Sequence, residues 1–107
     1  MPDLKKERFE EIVRHLAAEF LSANSNRTSL ITVTRVEAAE RSNRVTIFFT
    51  VMPLDKEEAA LDFLKRNRSE FRDYVKEKAR LMRIPFFDFE IDFGEKARQR
   101  IDEGLAK

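Results

Sequence analysis

The chain has 107 residues, 42% of them hydrophobic, and its ten phenylalanines can build one compact core, which excludes wholesale disorder and a second core. It contains no cysteine, which excludes disulfides, thiolate metal sites and cysteine nucleophiles. Basic and acidic residues nearly balance, and the formal net charge of +1 predicts no partner by itself.

The first predicted element is an amphipathic helix over residues 4–23. Its apolar residues recur at spacings of three and four, which is typical of one buried helix face, and they are Phe9, Ile12, Val13, Leu16, Phe20 and Leu21. A polar, turn-prone stretch follows at residues 22–26. This start is not the apolar stretch of a signal peptide, and no run approaches the roughly 18 apolar residues of a membrane span. We therefore expect a soluble cytoplasmic protein in which residues 1–107 form one domain.

Two β-strands are predicted next, over residues 30–37 and 44–52. Both segments are rich in β-branched residues, and the second alternates with the period of a half-buried strand. The connector, residues 39–43, is short enough for a hairpin, so we expect the two strands to be antiparallel neighbours. Phe48 falls on the polar side of the alternation, where it is either covered by neighbouring side chains or exposed.

A pair of helices separated by a break follows the hairpin. Asp55 is the predicted N-cap of the first helix, with Glu58 three residues later as in a capping box. The pattern is interrupted at Asn67-Arg68-Ser69, where two poor helix formers flank an arginine, and Ser69 can cap the second helix. Pro85 then disfavours further helix. The second helix has an apolar stripe of Phe71, Val75, Ala79 and Met82.

The third strand, from Phe86 onward, has the clearest alternation in the chain. Its apolar side is predicted to hold Phe87, Phe89, Ile91 and Phe93, and its other side Phe86, Asp88, Glu90 and Asp92. The carboxylates should lie on an open sheet face or face basic neighbours such as Arg35 and Arg44. The phenylalanines should be core, with Phe48 and Phe86 as exceptions. Gly94 breaks the strand, and residues 95–106 can form a short final helix anchored by Ile101 and Leu105.

The order helix, strand, strand, helix, kinked helix, strand, short helix predicts an α+β fold. Strands with one apolar face require helices on that face, which gives a two-layer sandwich around a three-stranded sheet. Residues 53–85 connect the second strand to the third. Such a long crossover usually brings the next strand into a parallel position, with a right-handed connection.

Positive charge is concentrated in residues 65–83. This segment contains eight basic and three acidic residues, so it carries +5 while the rest of the chain carries −4. At about 100° per residue, four basic residues fall on one side of a helix; this basic ridge consists of Arg72, Lys76, Arg80 and Arg83. Like charges four residues apart, as at Arg72 and Lys76, destabilise an isolated helix. Bound phosphates would relieve that repulsion, which favours a polyanionic partner.

The charge pattern leaves a second interpretation open. Asp73 can pair with Lys76, and Glu77 with Arg80, each at a spacing of three. Charged helix faces are often only solvated, and such surface pairs contribute little to stability. The ridge is then a solvent-exposed face without a ligand.

Residues suited to catalysis or metal binding are sparse. His15 is the only histidine in the sequence, and no second histidine or cysteine can share a metal with it. Asp88, Glu90 and Asp92 could bind a divalent metal or act in acid–base chemistry. With two glycines in total, however, the chain has no phosphate-cradling loop. We therefore expect no enzyme activity, cofactor, metal or small-molecule substrate.

Two longer segments make the chain similar to a known family. Residues 31–51, ITVTRVEAAERSNRVTIFFTV, resemble the first hairpin of the ribosome-binding factor A family. Residues 71–92, FRDYVKEKARLMRIPFFDFEID, resemble its basic helix, proline and F-x-F strand closing on aspartate. The resemblance runs from about Arg8 to Leu105. It implies a type II K-homology-like fold with the order α-β-β-α-kinked α-β, which agrees with the order above.

Two departures from the family pattern concern the kink and the proline. Asn67-Arg68-Ser69 stands where family members usually carry alanine-x-glycine, and Pro85 is displaced by one position from the commonest spacing. The resemblance therefore implies that the second helix is kinked, but it leaves the geometry of the kink open.

The resemblance also implies a function without catalysis. A family member would bind the immature 30S subunit near its decoding-centre RNA and assist late folding and end-processing of 16S rRNA. The basic ridge would be the main phosphate contact, and the kink would add Lys65, Arg66, Asn67, Arg68 and Ser69. We expect a monomer. A protein-interaction module that docks an acidic partner through the same ridge remains an alternative.

Overall fold

A computed structural model describes residues 4–24, 28–81 and 83–105, and the side chains of all of these except 100 and 102–105. Met82, residues 25 and 26 of the predicted turn and the Leu105 side chain lie outside this part of the chain. The predicted order of elements is confirmed. The elements are α1 (Leu4–Asn24), β1 (Leu30–Ala38), β2 (Arg44–Met52), a 3-10 turn (Leu54–Lys56), α2 (Glu57–Arg66), α3 (Arg68–Ala79), β3 (Phe86–Ile91) and α4 (Phe93–Leu105).

The sheet has the order β1-β2-β3, with β1 antiparallel and β3 parallel to β2, as predicted. A register shift between Val33 and Arg35 leaves Thr34 without a paired residue in the register of β2, which is the signature of a β-bulge. Because of this extra residue, Val33 and Val36 both pair with core positions of β2, while Arg35 pairs with Phe48. The bulge therefore turns Arg35 onto the face of the sheet that the helices leave open.

The core lies between the sheet and the helices α1, α2 and α3. Phe71 of α3 is fully buried at its centre, with ring centroids 5.3 Å from Phe20, 5.0 Å from Phe87 and 5.6 Å from Phe89. These edge-to-face contacts between the first helix, α3 and β3 add to the stabilisation from apolar burial. They also fix which side of α3 faces water, and this side carries Arg72 and Lys76.

The helix caps predicted from sequence are wrong, although the break between the helices is confirmed. Asp55 lies in the 3-10 turn, and α2 begins at Glu57 without a side-chain cap. The N–H of Asn67 donates to the carbonyls of both Phe63 and Leu64, and α3 resumes at Arg68, ahead of Ser69. Because backbone bonding continues on both sides of it, the break needs one residue and no separate cap.

The third strand ends earlier than its alternation predicts. The side chain of Asp92 turns back and accepts a hydrogen bond from the N–H of Glu95 at 3.0 Å, which is the geometry of a helix N-cap. Phe93 therefore opens α4 and is 69% exposed, so its assignment to the core is wrong. The final helix begins at Phe93 rather than at residue 95, and Gly94 lies within its first turn.

The last helix is attached to the start of α2 by an ion pair. Lys96 of α4 pairs with Glu57 at the start of α2, with Nζ 3.0 Å from Oε2.

In the described part of the chain, no helix is long and apolar enough to cross a membrane.

Candidate nucleic-acid interface

The kink between α2 and α3 brings basic side chains around one carboxylate of β3. Asp88 Oδ1 lies 2.7 Å from Lys65 Nζ and 3.3 Å from Arg68 Nη1, and its Oδ2 lies 3.7 Å from Arg44 Nη2. Lys65 lies at the end of α2 and Arg68 begins α3, so the one-residue break places both of them beside the same strand. We call these four residues the Asp88 cluster. Two of its cations, Lys65 and Arg68, were predicted to contact RNA.

The electrostatics of the cluster keep Asp88 ionised. Burial raises the pKa of the Asp88 carboxyl, but the hydrogen bonds from Lys65 and from the N–H of Phe89 outweigh it, aided by the charges of Lys65 and Arg68. The net result is a pKa below the ordinary value for aspartate. Lys65 and Arg68 are thus partly neutralised within the protein.

Arg72, the first residue of the basic ridge, is engaged with the backbone. Its Nε lies 3.3 Å from the carbonyl oxygen of Pro85, and its Nη2 lies 3.2 Å from that of Ile84. These carbonyls belong to the connector that leads from α3 into β3. Arg72 therefore holds the entry to the strand in place, a structural role that its position in the charge pattern does not indicate.

The other three ridge residues lie at or beyond the C-terminal end of α3. The helix ends at Ala79, and Arg80 follows in the left-handed conformation with φ 49°. The prediction that one helical face carries the whole ridge is therefore wrong, because Arg80 and Arg83 lie outside the helix. Left-handed residues commonly end helices, but usually as glycine. We call Lys76, Arg80 and Arg83 the distal cations.

The distal cations are accessible to solvent, and within residues 4–24, 28–81 and 83–105 none of them makes an ion pair or side-chain hydrogen bond. The pairs proposed from spacing, Asp73 with Lys76 and Glu77 with Arg80, are not formed there. The two predicted pairs are therefore wrong, while a solvent-exposed face without a ligand stays an alternative for these residues. They are positive charges directed at solvent without an internal partner among the described residues.

The remaining predicted contacts of the kink differ in their accessibility. Arg66 reaches back to the carbonyl of Asp62 at 3.4 Å. The side-chain amide of Asn67 donates to the carbonyl of Phe63 at 2.7 Å, so it serves the kink itself. Ser69 lies on the first turn of α3. Arg66 and Ser69 are exposed, whereas Asn67 is half-buried and uses its amide within the kink.

The open face of the sheet carries the predicted pairs of carboxylates and arginines. Arg35 lies 3.3 Å from Asp92, and Arg44 lies 3.7 Å from Asp88, as expected from the alternation. Burial raises the pKa of Asp92, but the hydroxyl of Thr34, the N–H of Glu95 and the charge of Arg35 lower it below its ordinary value.

Arg44 was not among the predicted RNA contacts. The pairing of residue 44 with the start of β3 brings it to the cluster. The alternation of β3 indicated that Arg44 faces the carboxylates of the strand, but not that Lys65 and Arg68 reach the same carboxylate.

His15 lies on the surface of α1 and pairs with Glu19 at 3.0 Å. Among the residues described, no group of three or more histidine, cysteine, aspartate or glutamate side chains could hold a metal ion.

Comparison with known proteins gives consistent matches. A family model described as Ribosome-binding factor A matches residues 5–105. A curated ribosome-binding factor A from Coprothermobacter proteolyticus is 28% identical over 94 residues, which cover 86% of this chain and 69% of that protein.

Two structures have the same fold. The crystal structure of ribosome-binding factor A from Thermus thermophilus superposes with a TM-score of 0.71 at 22% identity, covering 80% of this chain and 94% of that one. A homology model of the Thermus thermophilus factor, fitted into a cryo-EM map of its complex with 30S, gives a TM-score of 0.67 at 21% identity, covering 76% of this chain and 88% of that one. The predicted α+β fold is thereby confirmed.

Proposed function

Because this chain belongs to the ribosome-binding factor A family, we propose that it binds the immature 30S subunit through 16S rRNA and assists late folding and end-processing of that RNA. It acts as a cytoplasmic monomer, without catalysis or cofactor, and residues 1–107 serve as one ribosome-binding domain. The Thermus thermophilus relative fitted into a map of a 30S complex supports the choice of partner.

The distal cations are the observation that carries the RNA-binding part of this proposal. Lys76, Arg80 and Arg83 are accessible and have no internal counter-charge in the described part of the chain. RNA phosphates would supply that counter-charge and release condensed cations, which is the main source of affinity in sequence-independent binding. Phosphate contacts position a protein but read no bases. We therefore place the main phosphate contact at the distal cations and secondary contacts at Arg66 and the three cations of the Asp88 cluster.

Co-sedimentation with purified 30S subunits, mature and immature, across a salt series tests the proposal. The wild type should be retained preferentially on immature subunits, and retention should fall steeply with salt. The triple variant Lys76→Glu, Arg80→Glu and Arg83→Glu should lose retention at all salt concentrations, because each former contact now repels a phosphate.

A matched charge reversal outside this region controls for net charge. The triple variant Arg8→Glu, Lys56→Glu and Arg98→Glu changes the net charge equally on exposed side chains, and it should retain most of the binding. Equal loss in both triple variants, or retention of the distal-cation variant, would contradict the proposal. A partner recovered from lysate that survives nuclease treatment would instead support the module that docks an acidic protein.

A further inference from the structure

The ring of Phe86 is an aromatic surface that phosphate binding leaves unused. Phe86 is the first residue of β3 and pairs with Arg44 on the open side of the sheet, where its side chain is 51% exposed. It directly follows Pro85, whose carbonyl accepts a hydrogen bond from Arg72. The ring therefore lies next to the Asp88 cluster, and the residue before it is bound by Arg72 of the basic ridge.

Phe48 also lies on the open face of the sheet, but its ring is covered by a cation. The guanidinium carbon of Arg35 lies 3.8 Å from the ring centroid of Phe48, and Arg35 is itself paired with Asp92 and Glu37. The half-buried ring of Phe48 is thus covered on one face by a cation that is fixed in position. Stacking on that face would require the arginine to move.

The cations around Phe86 leave its ring accessible. The guanidinium carbons of Arg44 and Arg68 lie 5.6 Å and 5.7 Å from its centroid. These distances permit cation–π attraction but exceed the separation of a closed stack. Both arginines also pair with Asp88, which holds them at this distance from the ring rather than in contact with it. A half-exposed aromatic ring with two nearby cations that do not touch it suits a flat ligand that also carries negative groups.

We propose that Phe86 is a stacking platform for one unpaired RNA base, with Arg44 and Arg68 binding the phosphates that flank it. This inference rests on the proposed RNA-binding function and names its substrate class, a single-stranded segment or a flipped-out base. Bases inside a continuous duplex have no free face to stack, whereas every unpaired base has one, so such a platform tolerates any sequence. An apolar protein side chain fits the site less well, because it would desolvate both guanidinium groups.

The test compares two RNA probes that carry the same number of phosphates, a short oligouridine and a fully paired duplex. Phe86→Leu keeps an apolar side chain but removes the aromatic ring. We expect it to weaken oligouridine binding by roughly tenfold and to leave duplex binding unchanged, because only the single strand offers a base for stacking. An oligouridine containing one 2-aminopurine should be quenched by the wild type and much less by Phe86→Leu.

Phe93→Leu is the matched control, because Phe93 is also an exposed phenylalanine but lies on α4. It should leave both affinities unchanged. If Phe86→Leu binds oligouridine as tightly as the wild type, the stacking site is wrong, while the distal cations can still account for RNA binding. If the wild type binds neither probe, the proposed function and this inference are both wrong.

Discussion

The basic segment of residues 65–83 contains lysines and arginines in two electrostatic states, those that belong to the Asp88 cluster and the distal cations. Lys65 and Arg68 lie within 3.3 Å of the Asp88 carboxylate, whereas Lys76, Arg80 and Arg83 have no ion pair among the residues described. A phosphate that approaches the cluster must compete with an internal carboxylate. A phosphate that approaches the distal cations meets no such competitor within the described residues. The difference shows that a local excess of +5 overstates the charge available to a partner.

Removing the Asp88 carboxylate is the most direct test of the difference between the cations that it pairs with and the distal cations. Asp88→Asn keeps the shape of the side chain but frees Arg44, Lys65 and Arg68 for phosphates. We expect RNA affinity to rise several-fold and the salt dependence to steepen, because more phosphate contacts form. The free energy of unfolding should fall by about 1 kcal/mol, and this decrease is modest because the three cations are partly exposed. Parallel measurements of RNA binding by fluorescence anisotropy and of denaturant unfolding check both effects.

The pH dependence of stability gives a second test of the Asp88→Asn variant. The folded-state pKa of Asp88 is lowered, so its pairing stabilises the fold above the unfolded-state pKa of about 3.9 and is lost as pH falls through the lower folded-state value. The stability of Asp88→Asn should therefore depend less on pH than that of the wild type below about pH 4. An affinity for RNA that falls in Asp88→Asn would mean that Asp88 positions the cations rather than competing for them.

Arg72→Lys sharpens the distinction between structural and available ridge residues. Lysine keeps the charge but cannot donate to two carbonyls with the fork of a guanidinium. We expect the free energy of unfolding to fall by about 1 kcal/mol, because the connector that leads into β3 is held less well. RNA affinity should change little. Lys76→Arg is the matched control and should leave stability unchanged. Circular-dichroism melts with denaturant distinguish the two variants, and equal stabilities would show that the Arg72 contacts are dispensable.

Arg80→Gly gives the smallest expected effect, and it separates stability from binding at one residue. Arg80 is left-handed with φ 49°, a conformation that glycine adopts without the steric cost of a Cβ. Glycine should therefore stabilise the fold by about 0.5 kcal/mol while weakening RNA binding. Arg80→Ala removes the same charge but keeps the Cβ, so it should weaken binding equally without the gain in stability. Denaturant unfolding of the two variants measures the difference, because a shift in the midpoint at an unchanged m value reports a change in stability.

The elements of this fold could be predicted because their signals are local. The period of β2 and the helical spacing of α1 depend on neighbouring residues that share a face, and burial of that face against the rest of the chain is what holds each element. The predicted bounds of β2 agree with the structure, and those of α1 and β1 differ by one residue at their ends. Phe93 was misassigned because its alternation with Ile91 is also local, and the capping of α4 by Asp92 outweighs it.

The amino-acid sequence by itself determined the α+β fold, the break at Asn67 and the concentration of positive charge around it. The tertiary structure alone decided which of those charges are available. Asp88 reaches Lys65 and Arg68 only because β3 lies parallel to β2 beside the kink, and Arg72 reaches Pro85 only because the chain turns back after α3. The alternation of the strands could place Arg35 and Arg44 on the face that carries the carboxylates of β3. Whether side chains of α2 and α3 also reach that face depends on distances of a few ångströms between residues far apart in sequence, which a linear pattern does not give.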